Sequence, residues 1–165
     1  MYLYLFIIDN EINKHCKLLV IYTWDHSHGR NEDFYNGAMQ FEHIHLKDRG
    51  FKRIIQISKI LISTKYRELI LSGWDSMPLW VGAFISAKRK NAVVVESSYL
   101  ESTTSGLKGF IKRIFISRIS KVYASGKSQK ELVDRLGYKG DTIITKGVGI
   151  FNYIKQPAYI ERGQV

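Results

Sequence analysis

Residues 68–98 read ELILSGWDSMPLWVGAFISAKRKNAVVVESS, with a short apolar run on either side of an amphipathic stretch. The runs at 68–72 and 92–97 have the length and composition of buried strands, and the stretch between them predicts a helix from Met77 to Lys90. Pro78 suits the first turn of that helix, where a missing N–H costs nothing. Strand, helix and strand in this order predict a βαβ unit with parallel strands.

The same alternation extends in both directions along the chain. Leu5, Ile8 and Ile12 fall at helical spacing, although YLYLFII taken alone also suits a strand. The other predicted strands are at 17–24, 41–46, 121–125 and 141–145, and the other predicted helices are at 3–14, 51–65, 106–121 and 127–137. We expect one α/β domain over residues 1–155, with a Rossmann-like three-layer fold and a mostly parallel sheet. Residues 156–165 are interpreted as a tail or the start of an interdomain linker.

The predicted helix at 106–121 has an apolar side that we expect to pack on the core and a basic side that faces solvent. The apolar side consists of Leu107, Phe110, Ile111, Ile114, Phe115 and Ile119, and the basic side of Lys108, Lys112, Arg113, Arg118 and Lys121. Cations on one short helix favour an anionic bilayer surface, so Lys108, Lys112, Arg113 and Arg118 are candidate membrane contacts.

Composition narrows the range of partners. The 165 residues include 25 lysines and arginines against 15 acidic residues, a net charge of +10, which attracts lipid headgroups, nucleic acid or phosphorylated substrates. Basic and aromatic residues do not interleave as in known nucleic-acid readers, so we expect no nucleic acid partner. A single cysteine, Cys16, excludes an internal disulfide and favours a cytoplasmic location. The opening residues do not match a signal peptide, and no apolar run approaches the length of a membrane span.

Polar turns follow four of the predicted strands. They are Gly73–Ser76, Glu96–Ser98, Ser125–Ser128 and Gly147–Gly149. Because ligands of parallel sheets bind beyond the carboxyl ends of the strands, these turns are expected to meet at one site. Ser76 or Asp75 is expected to cap the following helix, whose first amides can face an anion.

The order of these turns resembles the N-terminal half of a GT-B glycosyltransferase of the family 4 type. The segments that carry the resemblance are LILSGWDS, VVVESS, ASGKSQKELVDRLG and TIITKGVGIFNY, and together they extend the resemblance over residues 5–157. Three departures stand beside it. The family's opening strand and glycine-rich loop are absent, Gly149 replaces the usual aspartate, and the C-terminal Rossmann-like half is missing.

The resemblance implies the acceptor-binding half of an enzyme that moves a sugar from a nucleotide-sugar donor to a surface polysaccharide or lipopolysaccharide acceptor. It implies no metal or other cofactor, and little activity without the donor-binding C-terminal domain. Glu96 is implied as an acceptor-hydroxyl contact or base, and the implied substrate contacts are Gly73, Trp74, Asp75, Ser97, Ser98, Ser125, Lys127, Gly147 and Gly149.

Structural interpretations compete with these roles. Glu96 also suits a turn cap, Trp74 suits a packed cover over the strand ends, and Ser125 and Lys127 suit a helix cap. The whole chain also suits a non-catalytic Rossmann-like module that binds an anionic membrane surface or a partner through its basic helix.

Two histidine pairs have the i, i+2 spacing that places both rings on one face of a strand. They are His26 with His28 and His43 with His45. Neither pair has a matching cysteine or carboxylate partner in the sequence, so we expect no metal.

Overall fold

The computed structural model describes residues 12–23, 41–46 and 49–145, in which strands and helices alternate as the sequence predicts. Residues 12–15 are helical, and the rest of the predicted first helix lies outside the described residues. The strands are β1 (Leu19–Tyr22), β2 (Glu42–His45), β3 (Leu69–Leu71), β4 (Asn91–Val95), β5 (Lys121–Ala124) and β6 (Asp141–Ile144). The helices are α1 (Gly50–Ser63), α2 (Met77–Ile85), α3 (Gly106–Ile116) and α4 (Lys127–Arg135).

All strand pairs among these elements are parallel. β1 pairs with β2, and β3, β4, β5 and β6 form a second sheet in which neighbours in the chain are neighbours in space. The chain folds as an α/β, Rossmann-like three-layer domain with parallel sheets and helices on both sides, which confirms the predicted fold class.

The main core lies between the four-stranded sheet and helices α2, α3 and α4. Val93, Val122 and Phe115 are fully buried at its centre. Gly82 lets α2 approach β3 closely, because a Cβ at this position would lie 3.2 Å from Leu71 Cδ2 and 3.8 Å from Leu61 Cδ1. Helices α1 and α2 therefore share one layer on the same face of β3.

Helix α1 also packs on the smaller sheet. Its buried Ile57 and Leu61 contact a second cluster around Leu46, to which Ile21 of β1 and Ile44 of β2 belong. Leu69 packs against both clusters, so the two sheets have a helix layer in common.

A buried asparagine fixes the start of β4. Asn91 is fully buried, and its Nδ2 donates to the carbonyls of Ala83, at 2.8 Å, and Arg118, at 2.9 Å. The backbone carbonyl of Asn91 accepts from Ser120 N at 2.9 Å. One side chain thereby joins the end of α2, the beginning of β4 and the turn after α3.

Two predicted helices are shorter in the structure. Helix α2 ends at Ile85, because Ser86 is extended, and a 3₁₀ turn at Lys88–Lys90 leads into β4. Helix α3 ends at Ile116, and Lys121, predicted to lie on it, begins β5 instead.

The predicted core face of α3 is wrong in part. Phe115 and Ile119 are buried as expected, together with Ile116. The remaining four apolar residues are exposed, because the helix turns its other side to the sheet; they are Leu107, Phe110, Ile111 and Ile114.

Candidate functional site

The carboxyl ends of β3 to β6 lie at one edge of the four-stranded sheet, because all four strands are parallel. Hydrogen bonds connect the segments that leave this edge. The backbone N and the hydroxyl of Ser125 donate to the carbonyl of Val95, at 3.2 and 3.1 Å, and Thr145 N donates to Ala124 at 2.9 Å. The predicted turns that fall within the described residues therefore start side by side. Gly147 and Gly149 lie outside the described residues.

The first turn places Trp74 over the core. Gly73 has a φ of 132°, which a side chain would strain. The carbonyl of Trp74 accepts from Trp80 Nε1 at 2.9 Å. The ring of Trp74 contacts Phe115 edge to face, with a centroid distance of 6.3 Å. This packing supports Trp74 as a cover over the strand ends. Asp75 beside it is exposed.

Ser76 is the N-cap residue of α2, at one of the two positions that the sequence suggests for the cap. Its backbone carbonyl accepts from the amides of Leu79 and Trp80. Its hydroxyl makes no capping bond, and the buried Oγ has no hydrogen-bond partner within the described structure.

Glu96 is the first residue after β4 and is exposed. Its backbone carbonyl accepts from Gln129 Nε2 of α4 at 2.9 Å. Its carboxylate makes no hydrogen bond or ion pair with the other residues that the structure describes, so nothing there supports a turn-capping role. Ser97 is exposed and Ser98 is half-buried beside it.

The loop after Glu96 is attached to α3. Lys112 Nζ donates to Ser102 Oγ at 2.6 Å and to the carbonyl of Thr103 at 2.9 Å. Burial, together with the nearby Lys108, lowers the pKa of Lys112 below its usual value. The ammonium group also lies 6.0 Å from the centroid of the Trp74 ring. Lys112 therefore joins two of the turns at this edge.

A second anchor connects the same loop to α4. The guanidinium of Arg135 lies 4.5 Å from the centre of the Tyr99 ring, and Tyr99 packs against the main core. The sequence alone does not predict these contacts, because they join residues that are far apart in the chain.

Helix α4 corrects the predicted cap. Its N-cap residue is Gly126, whereas the hydroxyl of Ser125 bonds across the sheet to β4. Lys127 is exposed at the first helical position. Ser128, in the first turn, has a buried Oγ without a partner among the described atoms, like Ser76. These two hydroxyls are candidate site groups that were not predicted from the sequence. Both serines stand at the start of a helix just after a strand, and this position could have indicated them.

The four candidate membrane contacts do not form a single row of free cations. Lys108 and Arg113 are exposed on α3, although Arg113 also donates to the carbonyl of Thr104 at 3.2 Å. Lys112 is held in the loop described above. Arg118 lies beyond the other end of α3, where its guanidinium donates to the carbonyls of Ala83 and Ser86, both at 3.4 Å.

The histidine pair on β2 shares one face, as its spacing predicts. The ring centroids of His43 and His45 are 5.5 Å apart, and Tyr22 stacks on His45 at 4.7 Å. Over residues 12–23, 41–46 and 49–145, no three His, Cys, Asp or Glu residues group as metal ligands would. His26 and His28 lie outside the described residues.

Comparisons of the chain with protein-family models, with curated proteins and with solved structures give no match. Within the described part of the chain, none of the helices combines the length and hydrophobicity needed to cross a bilayer.

Proposed function

We propose that the chain is the acceptor-binding half of a GT-B type glycosyltransferase that acts on a surface polysaccharide or lipopolysaccharide. The observation that carries this proposal is the edge at which β3 to β6 end. Three polar turns meet there beside an exposed carboxylate, and Trp74 and Lys112 complete its rim. This is where ligands bind in parallel α/β sheets.

The proposed reaction joins an acceptor hydroxyl to the anomeric carbon of a nucleotide sugar. The oxygen forms the new glycosidic bond while the bond to the nucleotide diphosphate breaks, and Glu96 contacts the hydroxyl or accepts its proton. Amides at the starts of α2 and α4 and the ammonium of Lys112 supply positive potential at this edge, where negative charge develops on the leaving group. The donor and its phosphates are held by a second domain, and no metal is required.

The half-enzyme proposal predicts weak donor binding. The described part of the site offers Lys112, Lys127 and helix termini to a diphosphate, without a dedicated phosphate cradle, so we expect dissociation constants in the millimolar range or above for nucleotide-diphosphate sugars. Isothermal titration calorimetry with a panel of such sugars measures this. Micromolar affinity for any member of the panel would contradict the half-enzyme proposal.

The second candidate function is a non-catalytic module that binds an anionic membrane surface or a partner through α3. The exposed Lys108 and Arg113, and the net charge of +10, favour it. It would act at the inner face of the membrane as a peripheral protein. A companion chain or adjacent reading frame that encodes a second α/β domain would favour the transferase, and full function of these 165 residues alone would favour the module.

A further inference from the structure

Helix α3 presents an apolar stripe to solvent. Leu107, Phe110, Ile111 and Ile114 follow the i, i+3, i+4, i+7 pattern of one helix face, and all four are exposed. The side chains of Leu107 and Phe110 are 74% and 57% exposed. The opposite side of the same helix provides Phe115 and other residues to the core. This helix therefore has two apolar sides, and one of them is not buried by any residue that the structure describes.

Helices α1 and α2 repeat this feature in the same layer. Phe51 and Ile62 of α1 are 73% and 75% exposed, and Ile55 lies between them on the same side. Met77 and Phe84 of α2 are exposed as well. We call this set the helix-layer surface; its members are Phe51, Ile55, Ile62, Met77, Phe84, Leu107, Phe110, Ile111 and Ile114. Patches of this kind on soluble proteins mark interaction sites.

The charged residues within the three helices that carry this surface have one sign. Helices α1, α2 and α3 together contain six lysines and arginines and no aspartate or glutamate. At 3.6 residues per turn, Lys108 and Arg113 border the α3 stripe on opposite sides. Helix α4, in contrast, contains Glu131 and Asp134, which pair with Arg135 and Lys130.

This combination favours a bilayer over a second copy of the chain. Apolar side chains bordered by cations are the pattern of helices that lie in the interface of an anionic membrane. Two copies joined through this surface would bring lysines and arginines against one another, with no carboxylate on α1 to α3 to compensate.

We infer that the outer face of α1, α2 and α3 lies on an anionic lipid bilayer, with the helix-layer surface entering the acyl region and the bordering cations at the level of the phosphates. This inference rests on the second candidate function and deepens it, because it assigns the membrane contact to apolar side chains of three helices. Leu107 lies in the first turn of α3, near the carboxyl edge of the sheet, so the bilayer would pass beside Glu96 and its turn. A lipid-linked acceptor would reach that edge without leaving the membrane.

Vesicle flotation tests this inference, with phosphatidylcholine vesicles that contain or lack phosphatidylglycerol. The wild-type chain should float much more strongly with the anionic vesicles than with the neutral ones. Leu107→Gln/Phe110→Gln/Ile114→Gln should weaken partition about 100-fold, because inserted apolar area is lost. Lys108→Gln/Arg113→Gln should weaken it about 25-fold. At about 1 M salt, where the Debye length is about 3 Å, the wild-type chain should retain binding that the apolar variant lacks.

Matched controls separate this surface from general stickiness and net charge. Ile70→Gln/Ile143→Gln removes exposed apolar side chains of β3 and β6, outside α1 to α3, and Lys65→Gln/Lys139→Gln removes two exposed charges before β3 and β6. Both should bind like the wild type, and circular dichroism verifies that each variant folds.

Three results would overturn the inference, and they are distinguishable. If the wild-type chain does not bind anionic vesicles, the membrane-binding candidate function fails together with the inference. If it binds, and the apolar variant binds equally at both salt concentrations, only the insertion fails. If the wild type sediments as a dimer, the apolar variant sediments as a monomer, and neither binds vesicles, the surface is an interface between copies of the chain.

Discussion

At the residue scale, the site residues named from the sequence lie at the expected edge wherever the structure describes them. Glu96 and Ser97 directly follow a buried strand, so their placement needed only the strand boundary. The role of Ser125 was not predictable, because its hydroxyl oxygen could accept from a helix amide or its O–H could donate to a carbonyl of the neighbouring strand. In the structure the hydroxyl donates to the carbonyl of Val95, and Gly126, which has no side chain, is the N-cap residue of α4.

Tyr138 leads to a prediction about alkaline pH. Burial, reinforced by the nearby Asp141, raises the pKa of its phenol from 10.0 to about 12, and its hydroxyl donates to the carbonyl of Asp141 at 3.2 Å. A raised pKa in the folded state stabilises the fold below the unfolded value, and that stability is lost as pH rises through the folded value. The free energy of unfolding should therefore fall between about pH 10 and about 12.

Denaturant titrations at several pH values measure this fall, and the Tyr138→Phe variant should show a shallower one. An identical pH dependence in wild type and Tyr138→Phe would show that this phenol is not the source.

At the element scale, the sequence predicts the order of strands and helices well, because alternating short apolar runs and amphipathic stretches leave few other folds. It does not predict which side of α3 is buried. Residues 107–119 contain two apolar sides, one around Phe110 and one around Phe115, and periodicity alone suits either. The structure shows that the side around Phe115 is buried, where its ring contacts Trp74 and Trp80 from a distant segment of the chain.

The loop before α3 passes very close to the helix at Gly109, and this close approach depends on the missing side chain. A Cβ at this position would overlap the backbone carbonyl of Thr104, which a small shift of a side chain cannot relieve. Gly109→Ala should therefore destabilise the fold by about 1–3 kcal/mol. The sign is informative, because the same change inside an unobstructed helix stabilises it by up to about 1 kcal/mol.

Thermal unfolding followed by circular dichroism measures this effect. Gly82→Ala is the matched control, since its Cβ would meet only movable leucine methyl groups of Leu71, Leu69 and Leu61. It should cost less than Gly109→Ala. A higher melting temperature for Gly109→Ala would contradict the close crossing of loop and helix.

At the scale of the whole molecule, the four-stranded sheet is bordered by two surfaces with different chemistry. Its carboxyl edge gathers polar turns, unpartnered serine hydroxyls within the described structure, and Glu96. Its helix layer carries exposed apolar side chains and cations. The two surfaces meet at the amino ends of α2 and α3. A protein that modifies lipid-linked glycans would use both surfaces, so contact with a membrane is compatible with the acceptor-binding proposal.

The central claim is that the carboxyl edge of β3 to β6 binds a glycan acceptor. Amide chemical-shift mapping of the ¹⁵N-labelled chain, titrated with neutral and phosphorylated oligosaccharides to millimolar concentration, tests it most directly. We predict saturable shifts centred on Gly73, Ser98 and Gln129, and weaker shifts in Glu96→Gln. Shifts centred instead on the opposite edge, near Lys65 and Lys139, or no saturable shift with any oligosaccharide, would contradict it.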